Sequence, residues 1–492
     1  MNEDFKPSSS ADHLREASGP GSLGLAGIAK RPKPGPEGLA IGEKDVKNND
    51  KRGTASSRIA IAIGSLLMST AAFATDGYFQ DGVGARNTAL AGAGVADSRD
   101  ATAAALNPAG LVHVGNEIDV ALSFFNPSRS FTGSGGQGFT PNGTYTSDSN
   151  FFAIPNIAAT WRVQNNPFVD VIGLSMSGNG GMNTNYKNGI ANPICGFLPP
   201  GVGTGGGIFC GGRAGVDLTQ ALISLAFAKQ FGNVSVGVAP VLGAQYFEAK
   251  GLSVFGAFGA SSSPANLTDN GHDLEFGIGV RGGIEWALTP SIRLGFAGAS
   301  KIYMQPFGSY KGLFAEQGGF DIPANLQTGV AVDVMPNLTA MVDYKHIFYS
   351  DVASITNASA SALMPGNLGS STGAGFGWQD VDAIKVGLEW RATDKLTLRA
   401  GYNWNSQAIQ SKDVMFNIIA PGVVQSQFTG GVAYKISPKM EIEFAALYAP
   451  RVNVTGPELP IAFGPGGPFN STHVVDISLQ EFEATVGLKY HY

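Results

Sequence analysis

From Ile118 to the end of the chain, runs of about ten or more residues that alternate apolar and polar side chains are separated by connections of two sizes, tight and long in strict succession. Alternation with period two marks a β-strand, because successive side chains point to opposite faces of a sheet. The run Lys439 to Tyr448 puts Met440, Ile442, Phe444, Ala446 and Tyr448 on one face and Glu441 and Glu443 on the other. In the same way Leu396, Leu398, Ala400, Tyr402 and Trp404 oppose Thr397, Arg399, Gly401 and Asn403. Leu274, Phe276, Ile278, Val280, Ile284 and Trp286 oppose Glu275, Arg281 and Glu285. An aliphatic and aromatic face backed by polar groups and glycine implies a sheet standing between two different solvents.

The tight connections are Asn165-Asn166-Pro167, Gly232-Asn233, Thr289-Pro290-Ser291, Met335-Pro336-Asn337, Ala392-Thr393-Asp394 and Ser437-Pro438. Long ones centre near 127–149, 179–215, 249–270, 305–320, 349–378, 407–424 and 451–473. Fourteen strands lie between them: 116–126, 150–163, 168–178, 216–231, 234–248, 271–288, 291–304, 321–334, 338–348, 379–391, 395–406, 425–436, 439–450 and 474–492. An even number of antiparallel strands with tight turns at one end and long loops at the other predicts an all-β, 14-stranded transmembrane β-barrel over residues 116–492, seated in a bacterial outer membrane. Trp161, Trp286, Trp390 and Trp404 fall near strand ends, as an interfacial girdle requires. A soluble all-β protein would have to hide the apolar faces of all fourteen strands.

Upstream, Arg58 to Thr75 reads as a basic flank, an apolar run and a small-residue cleavage site at Ala72-Phe73-Ala74. The apolar run Ile59 to Met68 is about half the ~20 residues that a spanning helix needs, so 58–74 is expected to be a signal peptide. Residues 1–57 are polar and rich in Pro and Gly, and read either as a disordered leader or as a start placed too early, with translation beginning near Val46. The exported part is then 492 less 74, or 418 residues, with 22 basic and 30 acidic side chains and a net charge of -8. So acidic a product without clustered Lys and Arg is not expected to bind nucleic acid. Cys195 and Cys210 are the two cysteines, and export to an oxidising compartment favours a disulfide between them over a metal site.

Residues 75–115 lack strand alternation and are dominated by Ala, Gly and short turns. Asp100 is placed to cap a brief helix through Ala105, which Pro108 then stops. A compact polar-backboned element at the start of a barrel has the lumen to occupy, and is expected to form an N-terminal hatch.

Here the chain resembles the FadL/TodX family of outer-membrane transporters for hydrophobic compounds. The resemblance rests on GYFQDGVGARN soon after the signal, on AGAGVADSRDATAAALNPAGL with its Asn107-Pro108-Ala109, and on the fourteen-strand layout; it spans 75–492. It implies a plugged barrel that captures hydrophobic substrate outside, passes it to an inner apolar pocket and releases it sideways through a kinked third strand. A buried methylene is worth about 0.8 kcal/mol, so an apolar pocket binds such cargo where a wet duct would not. Mapped here, the hatch residues are Asn107, Pro108 and Ala109, and the first mature residues, Thr75, Asp76, Gly77, Tyr78 and Phe79, lie where the family's mobile N-terminus reaches the pocket. The third strand ends in Gly178, Asn179, Gly180 and Gly181, which either break the strand as a bulge or simply begin the long loop. In the loop 249–270, Leu252, Val254, Phe255 and Phe258 offer either a landing groove for greasy substrate or packing against a neighbouring loop.

No HExxH or paired-ligand spacing occurs among the six histidines, so no catalytic residue, metal or cofactor is expected. His272 and Asp273 are strand neighbours facing opposite sides and cannot act together directly. Inward charges such as Arg281, Glu285, Arg293, Lys385, Glu389, Arg399, Glu441, Glu443 and Glu483 read as structural pairs or as the lining of a conducting pore. The expected function is passive uptake of fatty acids or aromatic hydrocarbons by a monomer in outer-membrane lipid, assembled by machinery that reads the aromatic last strand EFEATVGLKYHY. A general diffusion porin for polar solutes is the alternative, and a barrel enzyme or adhesin a more remote one.

Overall fold

The computed structural model describes residues 76–459 and 472–492. The leader at 1–57, the signal at 58–74 and Thr75 fall outside them. Fourteen strands form one antiparallel cycle: β1 (Glu117–Ser134), β2 (Phe152–Arg162), β3 (Val171–Asn183), β4 (Gly215–Phe231), β5 (Val234–Lys250), β6 (Asp273–Thr289), β7 (Ile292–Ala299), β8 (Asn325–Met335), β9 (Leu338–Ile347), β10 (Val381–Arg391), β11 (Leu396–Asn405), β12 (Ser426–Ser437), β13 (Met440–Pro457) and β14 (Val474–His491). Each pairs with the next, and β14 closes on β1 with Ile118 opposite Tyr490 and Phe124 opposite Ala484. Two short segments, Gly143–Thr146 on β1 and Tyr303–Met304 on β6, extend the sheet without joining the cycle. Closure leaves no strand edge in the wall, the condition for crossing lipid with strands.

The faces are inverted relative to a water-soluble protein. Val120, Leu122, Phe124, Leu388, Trp390, Ile442, Phe444, Val486 and Leu488 are exposed on the outside, while Lys385, Glu389, Glu443 and Lys489 are buried inside. All four girdle tryptophans are outward and exposed. Such a surface is stable only against hydrocarbon, so the soluble all-β alternative fails.

Five strands depart by four residues or more from their expected limits, among them β3, which runs to Asn183 and not 178, and β8, which begins at Asn325 and not 321. β1 and β13 run past 126 and 450 because their outer face turns polar there, where Arg451 donates to Ser478 Oγ at 2.7 Å; the ladder continues after the apolar contrast has gone. β7 stops at Ala299 because the Ser300 hydroxyl accepts the Val280 N–H and the register slips, Arg281 facing Ala299 but Ile278 facing Tyr303.

The long loops pack on one another in a layer rich in Phe and Tyr, with Phe139, Phe209, Phe255, Phe307 and Phe320 buried. Cys195 and Cys210 are disulfide-bonded at 2.02 Å across one of them. The N-terminal segment contains α1 (Gly84–Ala89) and two 3-10 turns, Ala101–Ala105 and Pro108–His113. Asp100 caps the first through Thr102 N at 3.1 Å. Pro108 opens the second turn as well as ending the first, with Asn107 as its cap.

Candidate functional site

The N-terminal segment lies against the inward face of the strands, held by paired charges. Arg86 bonds Asp97 (2.9 Å) and Glu389 (2.8 Å), Arg399 links Glu389 (2.9 Å) to Glu443 (2.6 Å), and Lys489 joins Glu443 and Asp100, both at 3.1 Å. These charges therefore pair with each other and with this segment, whereas Arg281 donates to the Leu106 carbonyl and Glu483 accepts from the Thr485 hydroxyl. Asn107 reaches the wall separately: its Nδ2 donates to Val95 O (2.7 Å) and Ile284 O (3.2 Å), while its Oδ1 accepts Ala109 N (3.1 Å). Gly237 and Gly283 make that approach possible, since a Cβ on Gly283 would lie 1.9 Å from Asn107 Oδ1 and one on Gly237 2.4 Å from the Pro108 carbonyl carbon.

Residues 76–80 meet β3 at its irregularity. Gly77, at φ +78, turns the chain so that Phe79 bridges Gly180 antiparallel. Gln80 N donates to Asn179 O at 2.8 Å and Gly181 N to Tyr78 O at 3.2 Å. On the other side the β3–β4 register slips, Gly178 facing Ala221 and Gly180 facing Gln220, so Asn179 is the extra residue of a bulge. Its Nδ2 donates to Gln220 Oε1 at 2.9 Å. The strand continues to Asn183, so Gly178–Gly181 lie inside β3 and not at the start of the loop.

Two carboxylates anchor this end. Asp76 accepts from Lys345 Nζ (3.0 Å), Lys385 Nζ (3.1 Å) and Asn403 Nδ2 (2.7 Å); Asp81 pairs with Lys385 and accepts from Asn403 Nδ2 at 2.9 Å. Burial alone would raise both acids. For Asp76 the ammonium groups of Lys385 and Lys345 overcome it and hold the carboxyl down at about 2; for Asp81 burial prevails over Lys385 and pushes it up to about 6. The Tyr349 hydroxyl donates to Asp76 O (2.6 Å) and accepts from Tyr78 N (3.1 Å). The Tyr78 ring stands 5.4 Å from that of Tyr349 and 6.0 Å from that of Trp378.

Beside this aromatic group a small cavity of about 70 Å³ extends from Gly178 and Asn179 past Phe79 to Arg281, Gln327 and Lys345. Arg281 donates to the Leu106 carbonyl at 3.2 Å. In the loop layer a second, apolar pocket of about 50 Å³ is lined by Leu252, Phe255, Phe314, Phe376 and Phe416. Leu252 and Phe255 are buried and Phe258 half-buried. The Phe255 ring packs against neighbouring loops, meeting Phe139 at 5.7 Å, Phe209 at 5.6 Å and Phe416 at 5.5 Å.

Of the residues singled out from sequence, Asp76–Phe79 and Gly178–Gly181 come together; Asn107–Ala109 grip β5 and β6, and Leu252 and Phe255 belong to the loop layer. Asp81, Lys345, Asn403, Tyr349 and Trp378 were not foreseen. Lys385 carried a signal as an inward charge, whereas Tyr349 and Trp378 sit in a loop with no periodicity.

A closed fourteen-stranded cylinder with a lipid-facing apolar belt and an inward N-terminal segment defines an outer-membrane β-barrel. Residues 223–457 match the family described as outer membrane protein transport protein (OMPP1/FadL/TodX), and the resemblance to the FadL/TodX family is borne out. That family is one of transport proteins. The fold matches the P. putida toluene transporter TodX at a TM-score of 0.58 and 18% identity, covering 84% of this chain and 99% of that one. A Pseudomonas aeruginosa FadL homologue matches at 0.56 and 16%, and the Ralstonia pickettii toluene transporter TbuX at 0.55 and 17%, each again covering 84% of this chain and 99% of the other. No curated protein matches in sequence.

Proposed function

We propose that the protein takes up hydrophobic small molecules passively across the outer membrane, with residues 75–115 as a hatch in the lumen. Substrate enters the apolar loop pocket at Leu252 and Phe255, passes the Tyr78–Tyr349–Trp378 group and leaves sideways at the β3 bulge. The observation that carries this reading is the docking of Tyr78, Phe79 and Gln80 onto Gly178–Gly181: the register slip in β3 is covered from inside by residues 78–80 of the same chain. Each methylene buried in the loop pocket contributes about 0.8 kcal/mol, and a wall exit delivers the cargo to lipid without crossing water. Between long-chain acids and neutral hydrocarbons, Arg281 and Lys345 in the inner cavity favour a carboxylate-headed molecule. The barrel acts as a monomer in outer-membrane lipid, placed there by assembly machinery that reads its aromatic last strand.

The porin alternative is disfavoured by Glu389, Lys385 and Lys489, which pair with Arg86, Asp76 and Asp100 of the hatch instead of lining an open duct. Deleting Asn179 tests the reading, because it restores a regular β3–β4 register. Uptake of a fluorescent fatty acid by cells is expected to stop while the barrel still assembles. Full uptake by the deletion variant would remove the lateral route, and large single-channel conductance of the intact protein would restore the porin.

A further inference from the structure

We propose that Arg451 and the serines around it form a phosphate site on the outside of the barrel, and that its ligand is a lipid A phosphate of the outer leaflet. A β-bulge makes the site. Tyr448 of β13 faces Phe482 and Ala449 faces Glu481, but Val452 faces Leu479, so Pro450 and Arg451 together span the single position of Gln480. Without that extra residue, alternation from the outward Tyr448 would point Arg451 into the lumen. Turned outward, its guanidinium reaches across two neighbouring strands. Nη1 donates to Ser478 Oγ (2.7 Å) and Ser130 Oγ (3.5 Å), and Nη2 to Ser128 Oγ (3.2 Å) and Gln480 Oε1 (3.4 Å). The β1–β14 register sets Ser128 opposite Gln480 and Ser130 opposite Ser478, so these four side chains form one polar square on the outer face.

Every one of these partners is neutral. Asp476, the carboxylate on the same face of β14, is held by Asn453 Nδ2 (2.5 Å) and Thr455 Oγ1 (2.6 Å), which leaves Arg451 without a carboxylate among the described residues. Cations of the outer loops are paired by contrast: Lys187 with Asp148 (3.3 Å), Lys250 with Glu248 (2.7 Å) and Lys412 with Asp413 (2.9 Å). A hydroxyl that accepts from Arg451 keeps its own hydrogen to give. Ser130 and Ser478 share one hydrogen between their oxygens at 2.8 Å, so one hydroxyl hydrogen of that pair, that of Ser128 and the Arg451 Nε–H stay available. An exposed guanidinium ringed by donors and lacking an anion suits the oxygens of a phosphate.

Height selects which phosphate. Phe124, Tyr448 and Phe482 are exposed on the outer face and end the apolar belt on these three strands. Gln480 and Ser478 stand two and four residues beyond Phe482, about 7 and 13 Å along the strand at ~3.3 Å per residue, and less along the membrane normal because barrel strands tilt. A headgroup layer is about 5–8 Å deep on each side of the hydrocarbon. Arg451, opposite Gln480, therefore lies at headgroup level. The long loops mark this end as external, and the external leaflet of a bacterial outer membrane carries its phosphates on lipid A. Phospholipids of the inner leaflet meet the barrel at the tight turns, at the other end of the same strands.

Binding of bisphosphorylated lipid A to the full chain in detergent micelles, read by native mass spectrometry, tests the site without reference to transport. Arg451→Gln keeps a hydrogen-bond donor and removes the charge; it is expected to bind lipid A about tenfold more weakly than the wild type, as loss of a charge-assisted bond implies, with an unchanged thermal midpoint. Lipid A stripped of both phosphates should bind the wild type about tenfold more weakly than intact lipid A, a comparison that needs no variant to fold. Equal affinity of the wild type for intact and stripped lipid A overturns the proposal, as does equal lipid A affinity in the wild type and a folded Arg451→Gln. Inorganic phosphate or phosphatidylglycerol bound as tightly as lipid A would overturn the assignment to the outer leaflet.

Discussion

The carbonyl oxygen of Tyr78 lies 1.8 Å from the point that a Cβ on Gly180 would occupy. Backbone meets backbone there, so no side-chain movement relieves the clash. Gly180→Val is therefore expected to expel residues 78–80 from β3, breaking the Gln80–Asn179 and Gly181–Tyr78 hydrogen bonds while the lipid-facing wall stays intact. Limited proteolysis of the folded barrel should then cut within 76–83, where the wild type resists. Equal resistance in the two proteins would show that the segment has another way to dock.

Lys385 is the ammonium shared by Asp76 and Asp81, and its side chain is fully buried. Lys385→Met removes one of two cations facing two carboxylates in a buried site, and uncompensated buried charge costs about 3–5 kcal/mol. Part of that cost is avoided if the segment simply leaves. The expected result is a lowered thermal midpoint together with cleavage of the N-terminal segment. A midpoint shift without cleavage would place the whole effect in the wall.

Docking of the segment should depend on pH with opposite signs in two windows. The Asp81 carboxyl is raised from an ordinary 3.8 to about 6 when docked, so the docked state holds a proton that the free segment lacks, and docking strengthens as pH falls from about 6 to about 4. Asp76 is lowered from 3.8 to about 2, so its contribution is complete above about pH 4 and is lost as pH falls further. Exchange of the Gln80 amide, bonded to Asn179 O, is expected to be slowest near pH 4 after correction for intrinsic rates. A monotonic profile would mean that only one of the two acids governs docking.

The wall was readable from sequence because its signals are local. Strand alternation and the two sizes of connection can be seen without knowing which strands pair, and lipid enforces them wherever it touches the protein. Where lipid ends, the signal ended too: the outer parts of β1 and β13, with Ser128, Ser130 and Arg451 facing outward, carry no apolar contrast and read as loop. The site was legible only in pieces. Tyr78 and Gly180 stood out separately, but the chain between them is longer than any periodic pattern, and nothing local says that they touch. Tyr349, Trp378 and Asn403 come from further loops and strands, gathered by barrel closure alone. Leu252 and Phe255 show the same limit, since apolar loop residues look identical in sequence whether they meet water or one another.

Tyr349 offers the finest test of how the segment is held. Its hydroxyl bonds the carbonyl of Asp76 and the N–H of Tyr78, two backbone groups on either side of Gly77, while its ring packs on Tyr78, Phe79 and Trp378. Gly77 is bound to this arrangement as well, because a Cβ there would fall 2.5 Å from the Tyr349 hydroxyl oxygen. Tyr349→Phe keeps the ring and leaves both buried backbone groups without that partner, at a cost of about 1–3 kcal/mol. The Gln80 amide should then exchange roughly ten- to a hundredfold faster at constant pH, with the thermal midpoint of the barrel little changed. If ring packing alone fixes the segment, the Phe variant will exchange at the wild-type rate and Tyr349→Leu will be the variant that releases it.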